Sequence, residues 1–211
     1  MQITDEFMAA VRDKWPNALV QFEDFSNDHC FDLLERYRDT HLCFNDDIQG
    51  TGAVILAGFL NCVKVTKVPI GNHKIVFYGA GSAAIGVADQ IVSVMADEEG
   101  VSEEDARKRF YFVDSKGLVT NTRGDELASH KLPYARDDVK KDEQCKTLEE
   151  VVNKFSPTCL IGLAGTGPAF TDAILKKMAE YNKRPIIMAL SNPTSKAECT
   201  AEQAYKYVST L

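Results

Sequence analysis

A short apolar run that breaks into glycines constrains this chain more than any other stretch. Residues 75–78 (Ile-Val-Phe-Tyr) predict a strand, and the chain then turns at Gly79 and Gly81 and continues as a helix rich in small residues. The pattern is G-x-G-x-x-A, with Ala84 in the third place. In such a unit the first glycine makes the turn, the second admits a pyrophosphate, and the third small residue keeps the helix close to the strand. The stretch therefore predicts a dinucleotide site at the helix N-terminus, with the contacts Gly79, Ala80, Gly81, Ser82, Ala83 and Ala84.

Short apolar runs alternate with amphipathic segments along the whole chain. Strands are predicted at residues 18–22, 42–44, 75–78, 110–113, 158–162 and 185–190, and helices at 3–14, 28–38, 53–63, 83–92, 149–154, 171–181 and from about 201 to the end. Alternation of this kind with buried strands predicts an α/β fold, namely a Rossmann-type, doubly wound and mostly parallel sheet. Residues 115–143 are polar and rich in turn formers, and we expect a long surface excursion there.

Composition excludes several classes of function. The 211 residues include 24 basic and 31 acidic side chains, a net charge of −7 that argues against a nucleic-acid or anionic-membrane surface. The six cysteines form no C-x-x-C pair, which favours reduced thiols in a cytosolic-type protein. We recognise no targeting segment and no apolar run long enough to span a bilayer. We therefore expect a location in the cytoplasm or the mitochondrial matrix.

Two pairs of acids follow apolar runs. Glu23 and Asp24 come after the run at 18–22, and Asp46 and Asp47 come after the run at 42–44. Paired acids usually face solvent, but ligands of parallel sheets bind beyond the carboxyl ends of strands, so we expect both pairs in one cleft with the glycine turn. Converging carboxylates repel each other and need a cation. Oxygen ligands without histidine or cysteine suit Mg²⁺ or Mn²⁺, which beside a nicotinamide could chelate a hydroxy acid and act as a Lewis acid.

A single acid ends the strand that follows the glycine-turn helix. Asp114 lies where a carboxylate can accept hydrogen bonds from the adenosine ribose, although a solvated loop acid is the alternative. Its distance from Gly79 exceeds the usual ~20 residues, and the acidic segment 97–107 is interpreted as an insertion. NADP would need a cation near its 2′-phosphate, and the candidates are Lys116, Arg123 and Lys131.

Five segments together resemble the malic enzymes. They are residues 22–25 (F-E-D-F), 44–52 (F-N-D-D-I-Q-G-T-G), 78–86 (Y-G-A-G-S-A-A-I-G), 113–118 (V-D-S-K-G-L) and 190–194 (L-S-N-P-T). The match runs through nearly the whole chain in the right order, and the second segment is highly specific. The resemblance implies oxidative decarboxylation of L-malate to pyruvate and CO₂ with NAD or NADP.

The resemblance also implies roles for individual residues. It assigns the metal ligands to Glu23, Asp24 and Asp47, and it places Asp46 beside a catalytic lysine. It implies that Gly79, Gly81 and Ala84 form the pyrophosphate turn, that Asp114 contacts the ribose, that Ala164 and Gly165 lie beside the cofactor, and that Asn192 contacts malate. The D-S-K run at 114–116 and Lys131 look more like NADP-using members of the family.

The sequence also departs from the family pattern. Family enzymes are much longer, and their N-terminal domain supplies a catalytic tyrosine, a catalytic lysine and a malate-binding arginine whose motifs are not found here. We therefore expect residues 1–45 to be a metal-site segment of a neighbouring domain and residues 46–211 to be an NAD(P)-binding Rossmann domain. The chain alone is expected to be inactive, and the full-length form is expected to be a homo-oligomer. The alternatives are a non-catalytic NAD(P)-binding fragment or paralogue, or another Rossmann oxidoreductase, which would not explain Asp46 and Asp47.

Overall fold

The computed structural model describes residues 2–124 and 126–207, and alternates strands with helices throughout. The strands are β1 (Val20–Phe22), β2 (Cys43–Asn45), β3 (Ile75–Tyr78), β4 (Phe110–Asp114), β5 (Gly117–Leu118), β6 (Cys159–Gly162) and β7 (Ile186–Ala189). The helices are α1 (Gln2–Lys14), α2 (Cys30–Tyr37), α3 (Thr51–Thr66), α4 (Ser82–Glu99), α5 (Glu103–Arg107), α6 (Leu148–Phe155), α7 (Asp172–Tyr181) and α8 (Ala201–Tyr205). The predicted continuation of the last helix through residues 208–211 lies outside the described residues.

The main sheet has five strands in the order β5-β4-β3-β6-β7. All neighbours are parallel except β5, which runs antiparallel to β4. Side chains alternate between two cores: Ile75 and Phe77 pack with α3 and α4 on one face, and Val76 packs with α6 and α7 on the other. Helices on both faces of a mostly parallel sheet confirm the predicted doubly wound α/β fold.

A second, separate sheet contains the two strands that precede the acid pairs. β1 and β2 pair only with each other, in parallel, with Phe22 opposite Asn45. Each strand has three residues, of which one is buried, so neither shows the continuous burial of a central parallel strand. Their core consists of Phe22 with Met8, Leu33 and Tyr37. Both acid pairs therefore follow strands of this small sheet and not strands of the main sheet.

Residues 115–143 are more than a surface excursion. They contain β5 and a 3-10 helix at Ser129–Tyr134, and Leu118, Tyr134 and Val139 are buried. These elements are too short to show the period of a helix or a strand, which is why the composition alone indicated a loop.

The apolar helix after the second acid pair is longer than predicted. A π-helical turn at Asp46–Gly50 continues directly into α3, whereas the sequence predicted a helix only at 53–63. The continuous helix of residues 46–66 is long and apolar enough to cross a membrane by length and composition, and little of it is buried. The expectation that no such run exists is corrected here, because the helix continues through Gly50 and Gly52 without a break.

Glycines allow the π turn and α3 to pack closely against α4. A Cβ atom added to Gly86 would lie 2.4 Å from the Ile48 carbonyl oxygen, and one added to Gly52 would lie 3.0 Å from the Gly86 oxygen. The side-chain amide of Gln90 donates a hydrogen bond to the backbone carbonyl of Gln49 at 2.9 Å. Backbone therefore packs on backbone at this crossing, which couples the acid-bearing turn to the helix that follows the glycine turn.

We expect Gly86→Ala to lower the free energy of unfolding by about 1–3 kcal/mol, because the new methyl group meets a backbone carbonyl that cannot rotate away. Gly58→Ala in α3 is the matched control, since its Cβ would have only Met188 Cε within 4 Å, at 3.8 Å. That substitution should instead raise stability by up to about 1 kcal/mol, as removal of a helical glycine does. Urea unfolding of both variants measures the difference, and equal effects would contradict the packing argument.

Candidate functional site

A cavity of about 700 Å³ opens at the carboxyl ends of β3, β4 and β6. Its walls come from loops that follow strands of the main sheet and from the segment that carries Asn27. They include most of the predicted cofactor contacts. Those predicted residues are Gly79, Ala80, Gly81, Ser82, Ala83, Asp114, Ala164 and Gly165. Ala84 is buried behind the wall among the side chains of the core, as expected for a small residue that keeps the helix close to the strand.

Gly79 makes the turn that begins the cavity wall. Its φ of +115° lies in a region that side-chain-bearing residues rarely adopt, and an added Cβ would lie 2.7 Å from the Leu163 carbonyl carbon. Its own amide donates to the Val113 carbonyl at 2.8 Å. Position 79 thus needs glycine both for its backbone conformation and for the approach of the loop that carries Ala164.

The N-terminus of α4 is contacted by a residue that sequence reasoning missed. The Asn27 side-chain oxygen accepts a hydrogen bond from the Ser82 amide at 2.7 Å, and Asn27 also lines the cavity. Free amides at a helix N-terminus attract anions and polar groups. Asn27 follows Asp24 by three residues, so the segment with the first acid pair reaches the glycine turn. That short spacing is the signal that could have identified it.

His130 is a second residue of the cavity wall that the sequence did not indicate. Its ring stacks on Phe31, with centroids 5.1 Å apart and planes at 15°. Its Nε2 lies 3.2 Å from the Ala80 carbonyl, which can only accept, so Nε2 carries the proton. Burial lowers the pKa of the ring more than the Ala80 carbonyl raises it. His130 belongs to a segment without helical or strand periodicity, and no sequence signal pointed to it.

Asp114 forms hydrogen bonds with both of its carboxylate oxygens. The guanidinium of Arg123 donates to both oxygens at 2.8 and 2.9 Å, Lys131 Nζ donates to Oδ2 at 2.8 Å, and the Lys116 amide donates to Oδ1 at 2.9 Å. The Asp114 side chain is 10% exposed, so it is not the solvated loop acid that was the alternative. A carboxylate has about four acceptor positions, so a ribose hydroxyl would have to replace one of these donors. The ribose contact stays a prediction.

Three of the four predicted acids converge. Carboxylate oxygens of Glu23, Asp24 and Asp47 all lie within 4.8 Å of one another. The Asp24 amide donates to Asp47 Oδ2 at 2.9 Å, and the Gln21 side-chain amide donates to Glu23 at 2.8 Å. Within residues 2–124 and 126–207, no lysine, arginine or histidine forms an ion pair with these carboxylates. An all-oxygen cluster of uncompensated negative charge fits a hard divalent cation; the metal role itself stays a prediction.

Asp46 is not a member of that cluster, and Asn192 lies after a strand of the main sheet. Although Asp46 adjoins Asp47, its carboxylate packs over Gly50, where an added Cβ would lie 2.0 Å from Oδ1. Asn192 follows β7 at the same edge of the main sheet, is exposed and is not part of the cavity wall. Its neighbour Ser191 accepts a hydrogen bond from the Gly165 amide at 2.9 Å. The predicted roles of Asp46 and Asn192 remain predictions.

The ion pairs around Asp114 produce a pH-dependent stability. Burial raises the pKa of Asp114, but hydrogen bonds from Arg123, Lys131 and the Lys116 amide outweigh it and hold the pKa at about 2. Because this value lies below that of an unfolded aspartate, about 3.9, the stabilisation is complete above about pH 4 and is lost as the pH falls towards 2. At neutral pH it contributes on the order of 2 kcal/mol.

We therefore expect Asp114→Asn to lower the free energy of unfolding at neutral pH by about 2 kcal/mol. The difference in the free energy of unfolding between this variant and the parent chain should be constant at higher pH. It should become smaller below about pH 4. Urea unfolding at a series of pH values measures it, with the exposed Asp142→Asn as control. A gap that does not change with pH would show that the loss comes from packing rather than from the carboxylate charge.

Comparisons with known proteins identify the family. Residues 48–210 match the family model "Malic enzyme, NAD binding domain", and residues 1–38 match "Malic enzyme, N-terminal domain". Over 205 residues the chain is 59% identical to an NADP-dependent malic enzyme of Dictyostelium discoideum, covering 97% of this chain and 37% of that protein. The chain thus spans little more than a third of this relative's length.

Solved structures agree. The crystal structure of the Entamoeba histolytica malic enzyme matches with a TM-score of 0.76 and 26% identity, over 97% of this chain and 39% of that one. An NAD-dependent malic enzyme from Thermotoga maritima matches with a TM-score of 0.74 and 28% identity, over 96% and 50% of the two chains. Since one family model covers most of the described sheet and cavity, the chain belongs to the malic enzyme family and contains its NAD-binding domain.

Proposed function

We propose that this chain carries the cofactor and metal sites of a malic enzyme that converts L-malate to pyruvate and CO₂ with NAD(P)⁺ and Mg²⁺ or Mn²⁺. The observation that carries the proposal is the direct contact between the acid-bearing segments and the nucleotide turn. Asn27 binds the Ser82 amide, and the Ile48 carbonyl, next to Asp47, packs on Gly86. A cation held by the acid cluster and a nucleotide held at the turn would therefore share one site.

In the proposed reaction the nucleotide would take up the hydride and the divalent cation would polarise the substrate. A bound nicotinamide would accept the hydride from C2 of malate, while the hydroxyl proton would pass to a general base. Loss of the distant carboxylate as CO₂ then leaves an enol that is protonated to pyruvate. A divalent cation bound by Glu23, Asp24 and Asp47 would polarise the substrate oxygens. The chain's own carboxylates would hold it with oxygen ligands of the preferred type.

Mn²⁺ binding tests the metal site directly. Asp47→Asn removes a charge but keeps an oxygen that can accept from the Asp24 amide, so we expect folding to persist and Mn²⁺ affinity to fall by more than about tenfold. Titration followed by electron paramagnetic resonance measures the affinity. The exposed Asp39→Asn, outside the cluster, is the control, and equal affinities of the two variants would exclude Asp47 from the site.

Binding of a nicotinamide nucleotide without turnover is the second candidate function. It is favoured by the cavity wall, which this chain builds by itself, whereas no lysine of the chain matches the family's general base. Formation of NAD(P)H from malate with Mn²⁺ separates the two candidates. Turnover by this chain would favour the enzyme, and nucleotide binding without turnover would favour the binding module.

We further propose that the nucleotide is NADP. Ser115 and Lys131 line the cavity beside Asp114, and Lys116, Arg123 and Lys146 line a second pocket that shares Ser115 with it. Several cations next to the ribose position favour an additional phosphate group. The D. discoideum relative is described as NADP-dependent, which supports the same choice.

Lys131→Gln should therefore weaken NADPH binding by about tenfold or more and should change NADH binding by less than about twofold. The reason is that an ammonium group 21% exposed at the cavity wall can reach a phosphate that only NADPH carries. Nucleotide fluorescence titrations measure both affinities, with the exposed Lys140→Gln as control. An equal loss of affinity for NADPH and for NADH would contradict the proposal that the nucleotide is NADP.

A further inference from the structure

A buried carboxylate lies between the two loops that end β6 and β7. Glu198 is 0% exposed, and within the described parts of the chain no lysine or arginine forms an ion pair with it. Glutamate is almost never fully buried unless its oxygens are bound. Here both oxygens are bound by one residue: the Ser191 hydroxyl donates to Oε1 at 2.5 Å and the Ser191 amide lies 3.3 Å from Oε2.

Ser191 connects Glu198 to the cavity wall through a second hydrogen bond. Its hydroxyl donates to Glu198 and at the same time accepts from the Gly165 amide at 2.9 Å. Since the hydroxyl has one proton, donation to the carboxylate leaves its lone pairs facing Gly165. The carboxylate therefore sets the orientation of the group that holds Gly165, and it also holds the backbone immediately before Asn192.

The fold makes room for this carboxylate at the end of β6. A Cβ on Gly162 would lie 2.2 Å from Glu198 Cδ, so only glycine allows the side chain to pass. The main chain of Glu198 holds the far end of the same loop, because its carbonyl accepts from the Ala169 and Phe170 amides at 2.9 and 3.0 Å. Glu198 thus fixes the β6 loop at both ends and the β7 loop at its start.

The strand order places these loops under one end of a bound dinucleotide. With Asp114 at the end of β4 and the glycine turn after β3, an adenosine over β4 leaves the nicotinamide over β6 and β7. We propose that Glu198 is a positioning residue that acts through Ser191 to orient the Gly165 amide and Asn192 towards the nicotinamide end of the site. The consequence for the nucleotide rests on the proposed function; the orientation of Gly165 does not.

Amide hydrogen exchange without ligand tests the orientation. In Glu198→Ala and Ser191→Ala the Gly165 amide should exchange about tenfold faster, as expected for loss of one hydrogen bond. Exchange of the Gly79 amide, bound to Val113 in the other wall, should not change and serves as the internal control. Unchanged exchange at Gly165 would overturn the proposal, and Ser191→Ala keeps the test available if Glu198→Ala does not fold.

Nucleotide affinities separate positioning from general loss of structure. Glu198→Ala should weaken NADP⁺ binding by about tenfold but should leave binding of 2′,5′-ADP, which lacks the nicotinamide half, within about twofold. Glu198→Gln keeps one acceptor for the Ser191 hydroxyl and should recover most of the affinity. Equal losses for both nucleotides would reduce Glu198 to a structural role. Failure of the parent chain to bind either nucleotide would contradict the proposed function instead, and the exchange of Gly165 would still decide the orientation.

Discussion

The packing of the Ile48 carbonyl on Gly86 is the contact on which both halves of the site depend. It sets the distance between the π turn that carries Asp47 and the helix that carries the glycine turn. Two backbones that touch without intervening side chains have little freedom to slide, because interiors are close-packed and resist small changes of volume. The separate sheet of β1 and β2 is too small to be stable alone. We infer that it keeps its orientation largely through this crossing and through Asn27 at the N-terminus of α4.

The cavity wall is held by contacts between loops rather than by the strands themselves. The loop after β6 packs on Gly79 and is bound by Ser191 from the loop after β7. The segment after β5 returns Lys131 to Asp114 at the end of β4. Each loop at this edge is therefore fixed by a neighbour, so the wall is largely formed before a ligand binds. Preformed walls reduce the ordering cost of binding.

The sequence predicted those features that depend on local pattern. The strands β3, β4 and β6 are almost continuously buried runs, the turn needs glycine, and the acids stand in a specific segment, so each could be recognised from neighbouring residues alone. What failed depends on contacts distant in sequence. The pairing of β1 with β2 joins residues more than twenty positions apart, and β5 has two residues and no period. Lys116, Arg123 and Lys131 were named as candidate cations, but their hydrogen bonds to Asp114 depend on how a polar segment folds back.

The same contacts indicate which parts of the site can rearrange. The Gly86 and Gly79 contacts involve backbone atoms, so they cannot change unless whole elements separate. Arg123 is 5% exposed and donates a hydrogen bond to each oxygen of Asp114. A bidentate pair of this kind is directional and costly to break. Lys131 is more exposed and contributes one bond from a flexible stem. Because Asp114 has no spare acceptor position, a ribose hydroxyl can enter only by replacing a donor, and Lys131 is the donor whose displacement costs least. Binding at this end is therefore expected to exchange one lysine contact and leave the frame unchanged.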